Sequence, residues 1–213
     1  MNLYYEEINN YINKINNIKH NLIIAPSNIY LLEFNNKCKH KISSQDICYI
    51  EEGNYTSKVS WHQIKSIGIN YTIIGHSEKN ENVLNTNLKL KACLENNIKP
   101  ILCFGENENY QITLDKLTKD IDSINDIIFA YEPIDNINNN NINIEKIEDD
   151  INKIYNYLLN KYHIVPILLY GGGINKNNVK KIYNIDKLSG ILIGSISSNI
   201  EELEKILLKI NEK

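Results

Sequence analysis

The stretch Tyr71-Thr72-Ile73-Ile74-Gly75-His76-Ser77-Glu78 decides how the rest of the chain is read. Its first four residues lack polar alternation and predict a short strand covered on both faces, as in parallel sheets. Gly75 breaks that strand, and a titratable pair, His76 and Glu78, follows at its carboxyl end. Parallel α/β folds hold their chemistry there, because the loops at that end converge on one face. A histidine after a strand is more often a structural side chain than a catalyst, so the other strand ends have to decide its role.

Outward from this stretch the same pattern recurs. Apolar runs at 22–25, 100–104, 127–131, 167–170 and 190–193 predict strands, and a half-polar run at 42–45 predicts a weaker one. Helical spacing covers 3–18, the segment from Ile29, 61–67, 83–96, a helix around Leu114, Leu117 and Ile121, 144–162, 179–183 and 200–210. Strands alternating with helices predict a parallel α/β fold, and the length suits one domain, 1–213. The strand ends carry Pro26, Gln45, Gly75-His76, Gly105-Glu106, Glu132, Gly171-Gly172-Gly173 and Gly194. Such residues at successive strand ends favour a (β/α)8 barrel over an open sheet. Seven strands are found and the chain opens on a helix, so the expected barrel lacks its first strand in the chain as given.

Composition narrows the function. Net charge is −3, and all 23 basic residues are lysine with no basic stripe, so no nucleic-acid partner is expected. No charged-then-apolar leader and no long apolar run occurs, so the expectation is a cytoplasmic protein without a membrane partner. Cys38, Cys48, Cys93 and Cys103 have no paired spacing and read as reduced thiols, with no metal site. The wealth of Asn, Ile, Lys and Tyr looks like compositional drift. The Asn-rich run 136–143 reads as a flexible loop.

Glu132, between a buried strand and Pro133, is either a capping or salt-bridge carboxylate or a general base at a barrel mouth. Removing a proton from a carbon next to a carbonyl needs a carboxylate on one face and a hydrogen-bond donor at the oxygens. Glu132 and His76 on strand ends of one barrel supply that pair. The triple glycine and Gly194-Ser195 follow the last two strands; each alone is as readily a tight turn, but together they favour a phosphate site.

Three motifs now make the chain resemble the triosephosphate isomerase family. They are residues 71–78, Ala130-Tyr131-Glu132-Pro133, and Tyr170-Gly171-Gly172-Gly173-Ile174-Asn175, supported by Ala25-Pro26, Gln45-Asp46, Gly53-Asn54-Tyr55-Thr56, Val59-Ser60 and 100–106. The blocks follow the family's order and spacing from end to end. The resemblance implies a TIM barrel that interconverts dihydroxyacetone phosphate and glyceraldehyde 3-phosphate without cofactor or metal. The roles that follow come from the likeness to a well-characterised enzyme and not from spacing. Glu132 would be the base and His76 the neutral imidazole at the carbonyl, with Ser77 and Glu78 in support. Asn138, Gly173, Gly194 and Ser195 would contact the phosphate. Thr56 would sit in a loop reaching a partner subunit, which implies a homodimer.

The departures are specific. The family's first strand ends in an Asn-Trp-Lys-Met-Asn type motif, of which Met1-Asn2 matches the last two residues. The expectation is that the true start lies upstream of Met1, carrying the strand and its lysine. Without them, the resemblance implies low stability and low activity, or a decayed barrel kept as a structural or binding protein. The lid carries Asp135 and Asn138-Asn139-Asn140 where the family has a Trp and a Gly-Thr-Gly hinge. Lys79-Asn80 and Lys58 replace both ends of a usual ion pair.

Overall fold

The computed structural model describes residues 1–105, 109–136 and 142–211. Seven strands, β1 (Ile23–Ile24), β2 (Lys41–Ser44), β3 (Tyr71–Ile74), β4 (Lys99–Phe104), β5 (Ile128–Tyr131), β6 (Ile167–Gly171) and β7 (Gly190–Leu192), form one sheet in sequence order. Every neighbouring pair is parallel. The crossovers carry α2 (Leu31–Lys37), α3 (Trp61–Ser66), α4 (Val83–Glu95), α5 (Tyr110–Leu117), α6 (Ile144–Tyr162) and α7 (Val179–Tyr183). α1 (Tyr5–Ile15) precedes β1 and α8 (Ile200–Asn211) follows β7.

The sheet curls into a TIM-type barrel short of its first strand. Its curvature brings the chain's ends together: Tyr11 Oη of α1 donates to Ser197 O at 2.7 Å, and Lys14 pairs with Glu201 of α8 at 3.3 Å. Among the described residues β1 pairs only with β2 and β7 only with β6. Met1 O, near the end of β1, accepts from Ser27 Oγ and Gln45 Nε2, and Asn2 N–H donates to Ser198 Oγ beyond β7.

Strand alternation sorts the core into two layers. Ile101 and Cys103 of β4 and Ile128 and Ala130 of β5 point inward, with Ile73, Leu169 and Leu192 packed beside them. Leu102, Phe104, Phe129, Leu168 and Tyr170 point outward into the layer shared with the helices. β4 is buried on both faces, which is why it reads as an unbroken apolar run.

The structure departs from the sequence reading at the end of α5 and in a set of short turns. The helix expected to reach Ile121 ends at Leu117: Thr118 Oγ1 bonds back to Leu114 O, and Asp120 takes a left-handed φ of 54°. Short 3₁₀ turns at Asn28–Tyr30, Ser77–Lys79, Ile134–Asn136 and Ser195–Ser198 sit just past strand ends. Segments this short carry no hydrophobic period, so the sequence does not betray them.

Candidate active site

Gly75 ends β3 with φ +74°, and a Cβ there would stand 2.9 Å from Cys103 O, so glycine is required for the chain to turn. The turn places His76 as the cap of the 3₁₀ segment Ser77–Lys79, its Nδ1 accepting the Glu78 N–H at 3.4 Å. In the neutral ring, accepting at Nδ1 leaves the proton on Nε2. Nε2 faces Glu132, 3.6 Å from Oε1, a close approach longer than a hydrogen bond.

Glu132 follows β5, with its N–H on Phe104 O at 2.7 Å. It is 7% exposed. Glycines at the ends of both flanking strands make the room. A Cβ on Gly105 would lie 2.5 Å from Glu132 O, and one on Gly171 would lie 2.9 Å from its Oε1. Oε2 is buried and accepts no hydrogen bond among the described residues. A buried acceptor left without a donor is costly, and in a native fold such a group calls for a functional reason.

Cys103, which the sequence reading did not single out, lies beneath this carboxylate. Burial, then the charge of Glu132, pushes its thiol well above the ordinary range. It is therefore a neutral wall of the site, not a nucleophile. The signal was available in the alternation of β4, where 103 shares the inward face with 101. Tyr170, the last outward residue before the glycines, accepts from Asn136 Nδ2 at 3.0 Å and so ties the segment after Glu132 to β6.

The structure gathers part of the expected set. A groove of about 1030 Å³ is lined by His76, Glu78, Gly194 and Ser195, and it runs down the barrel interior past Ile73, Ile101, Ile128 and Leu169. Gly173 lies outside that lining; its carbonyl accepts from Asn178 Nδ2 at 2.8 Å and Asn175 Nδ2 at 3.2 Å. Gly172 and Gly173 have positive φ, 122° and 56°. Gly194 does not (φ −80°), and nothing lies within 4 Å of a Cβ added there, but its ψ of −127° lies outside the regions open to L residues, so the backbone and not packing favours glycine. Ser77 and Glu78 take part chiefly through their backbone: Ser77 O accepts from Asn80 N, and the Glu78 side chain points to solvent with Oε2 4.0 Å from His76 Nδ1.

Asn138 lies outside the described residues. Thr56 is exposed on a loop whose base is closed by Cys48 N–H on Val59 O and Trp61 N–H on Cys48 O. Lys79 has a partner that motif reading did not supply: it pairs with Asp46 at 3.1 Å. Among the described residues, Glu51, Glu52 and His62 bring ligand atoms within 4.8 Å of one another; all three are exposed, a common surface grouping.

The family model described as triosephosphate isomerase matches residues 1–210. A triosephosphate isomerase of Orientia tsutsugamushi (strain Ikeda) is 32% identical over 97% of this chain and 93% of its own. One from Mycoplasma genitalium is 34% identical over 84% of this chain and 80% of its own. One from Buchnera aphidicola subsp. Baizongia pistaciae is 30% identical over 94% of this chain and 88% of its own.

Proposed function

The chain belongs to the triosephosphate isomerase family, and from that premise we propose that Glu132 and His76 carry out its proton transfers between triose phosphates. Glu132 takes the proton from the carbon beside the carbonyl, leaving an enediolate, and returns it to the neighbouring carbon. His76 Nε2–H donates to the oxygen on which charge develops and passes protons between the two oxygens. The observation that carries this reading is the 3.6 Å approach of Nε2 to a buried carboxylate whose second oxygen has no donor among the described residues. Phosphate held near Gly194 and Ser195 would lie in the groove that His76 lines; Glu132 is outside that lining and reaches it through its approach to Nε2.

Turnover of Glu132→Gln and His76→Gln against the unchanged chain tests the assignment. Each variant should lose at least about 10²-fold in kcat. A Glu132→Gln protein with unchanged kcat would overturn it. A non-catalytic barrel is not favoured, because the relatives are isomerases and the two reacting side chains are both present and juxtaposed.

The reading extends to a homodimer of single-domain chains, 1–213, in a reducing, cytoplasmic setting. The support is the exposed loop around Thr56, the exposed Tyr4, Tyr5, Ile29 and Leu32, and four cysteines that are all free thiols. One sheet carries the described strands, and no helix among the described residues is long and apolar enough to cross a membrane. Equilibrium sedimentation should give twice the chain mass, falling towards one chain in Thr56→Asp; a monomer at all concentrations would refute the dimer.

A further inference from the structure

Lys89 stands on the buried face of α4, 5% exposed, where an unpaired ammonium would cost several kcal/mol. It is paired twice. Its Nζ is 2.6 Å from Asp46 Oδ1 and 2.8 Å from Glu81 Oε2, and these carboxylates outweigh desolvation and hold the ammonium protonated. Asp46 follows β2, and its other oxygen, Oδ2, takes Lys79 Nζ. Lys79 ends the 3₁₀ turn that His76 caps, with its N–H on His76 O at 2.9 Å. Glu81 lies two residues further on, just past Asn80, which adopts a left-handed φ of 45°. The turn bearing the imidazole is thus held at positions 79 and 81, and both holds meet at Lys89.

We propose that Lys89 is a positioning residue for the isomerase reaction, fixing the His76 turn through Asp46, Lys79 and Glu81. The outer link, between Lys79 and Asp46, is half exposed and weak alone. The inner one is buried, and removing its cation leaves Glu81 without a counter-charge beside Asp46, which keeps only the half-exposed Lys79. They would separate and carry positions 46 and 81 with them. A misplacement of about 1 Å at a reacting group is worth up to about 10²-fold in rate. The phosphate positions on β6 and β7 lie on other strands, so kcat should fall while KM stays nearly constant.

The inference rests on the catalytic reading of His76, and the test separates the two. Lys89→Met and the exposed, fold-tolerant Lys79→Met are compared with His76→Gln by turnover and by NMR of the ring protons of the five histidines. The resonance missing in His76→Gln identifies His76. In Lys89→Met, kcat should fall about 10- to 100-fold with KM within about twofold. The His76 resonance should shift or broaden while the other four stay, and Lys79→Met should do the same more weakly. Unchanged turnover and an unchanged His76 resonance in both variants would overturn the inference, even if His76→Gln is inactive. So would a Lys89→Met protein in which all five resonances move together while Lys79→Met leaves His76 unmoved, since that is general destabilisation. If His76→Gln retains full turnover, the catalytic reading fails, and the His76 resonance still decides whether Lys89 positions the turn.

Discussion

Gly171 sits so close to Glu132 that a Cβ on it would lie 2.9 Å from both Cγ and Oε1 of the carboxylate side chain. The glycine's own backbone is not in the left-handed region, so alanine meets no conformational strain there. The constraint is purely one of space beside the proposed base.

Gly171→Ala should therefore fold but push the carboxylate aside. Expected is a loss of kcat of about 10- to 100-fold with a modest change in KM, read from steady-state kinetics. Full activity would mean that Glu132 tolerates displacement and is not the base.

Gly105→Ala should cost more than Gly194→Ala, because only the first meets a collision. At 105 the backbone is in a glycine-favoured region, φ +142°, and a Cβ would collide with the Glu132 carbonyl at 2.5 Å, so loss of about 2 kcal/mol or more is expected in urea titration. At 194 a Cβ enters open space and only the ψ of −127° opposes it, so a loss of about 1 kcal/mol, smaller than at 105, is expected. If the substrate phosphate rests against position 194, the same variant should raise KM. Unchanged KM would place the phosphate elsewhere.

Asp115 on α5 accepts from Tyr157 and Tyr162 Oη and pairs with Lys161, joining α5 to α6. Desolvation is the largest single influence and works against it, but the three donors together prevail and hold its carboxyl below the usual range. A depressed native pKa contributes stability above the unfolded-state value, and that contribution is lost as pH falls through the lower native one. Asp115→Asn should cost about 1 kcal/mol at neutral pH, discounted for the group's exposure, and almost nothing well below about pH 4. Urea midpoints at the two pH values measure this; equal differences at both would exclude the linkage.

Thiol labelling should follow burial. Cys38 is partly exposed, while Cys48, Cys93 and Cys103 are buried. Burial pushes Cys38 up as well, and Cys93 and Cys103 further. A thiol reagent at neutral pH should mark Cys38 slowly and the other three only on unfolding, as mass spectrometry would resolve. Rapid labelling of Cys103 in the folded protein would contradict a neutral thiol beneath Glu132.

The sequence by itself determined the alternation of strands and helices, the strand ends that carry His76 and Glu132, and the family. These are local signals: apolar runs, a helical period, a glycine before a titratable residue. It did not disclose Cys103 under the carboxylate, Gly171 making its space, or Lys89 holding the turn of His76. Nor did it disclose that Gly194 faces open space, because openness depends on neighbours. Position 132 meets 171 and position 89 meets 46 only after the sheet has curled and α4 has docked on it. Contacts between residues some forty apart leave no period along the chain. The tertiary structure decided them, since a Cβ clash or an ion pair exists only at the distance that packing sets.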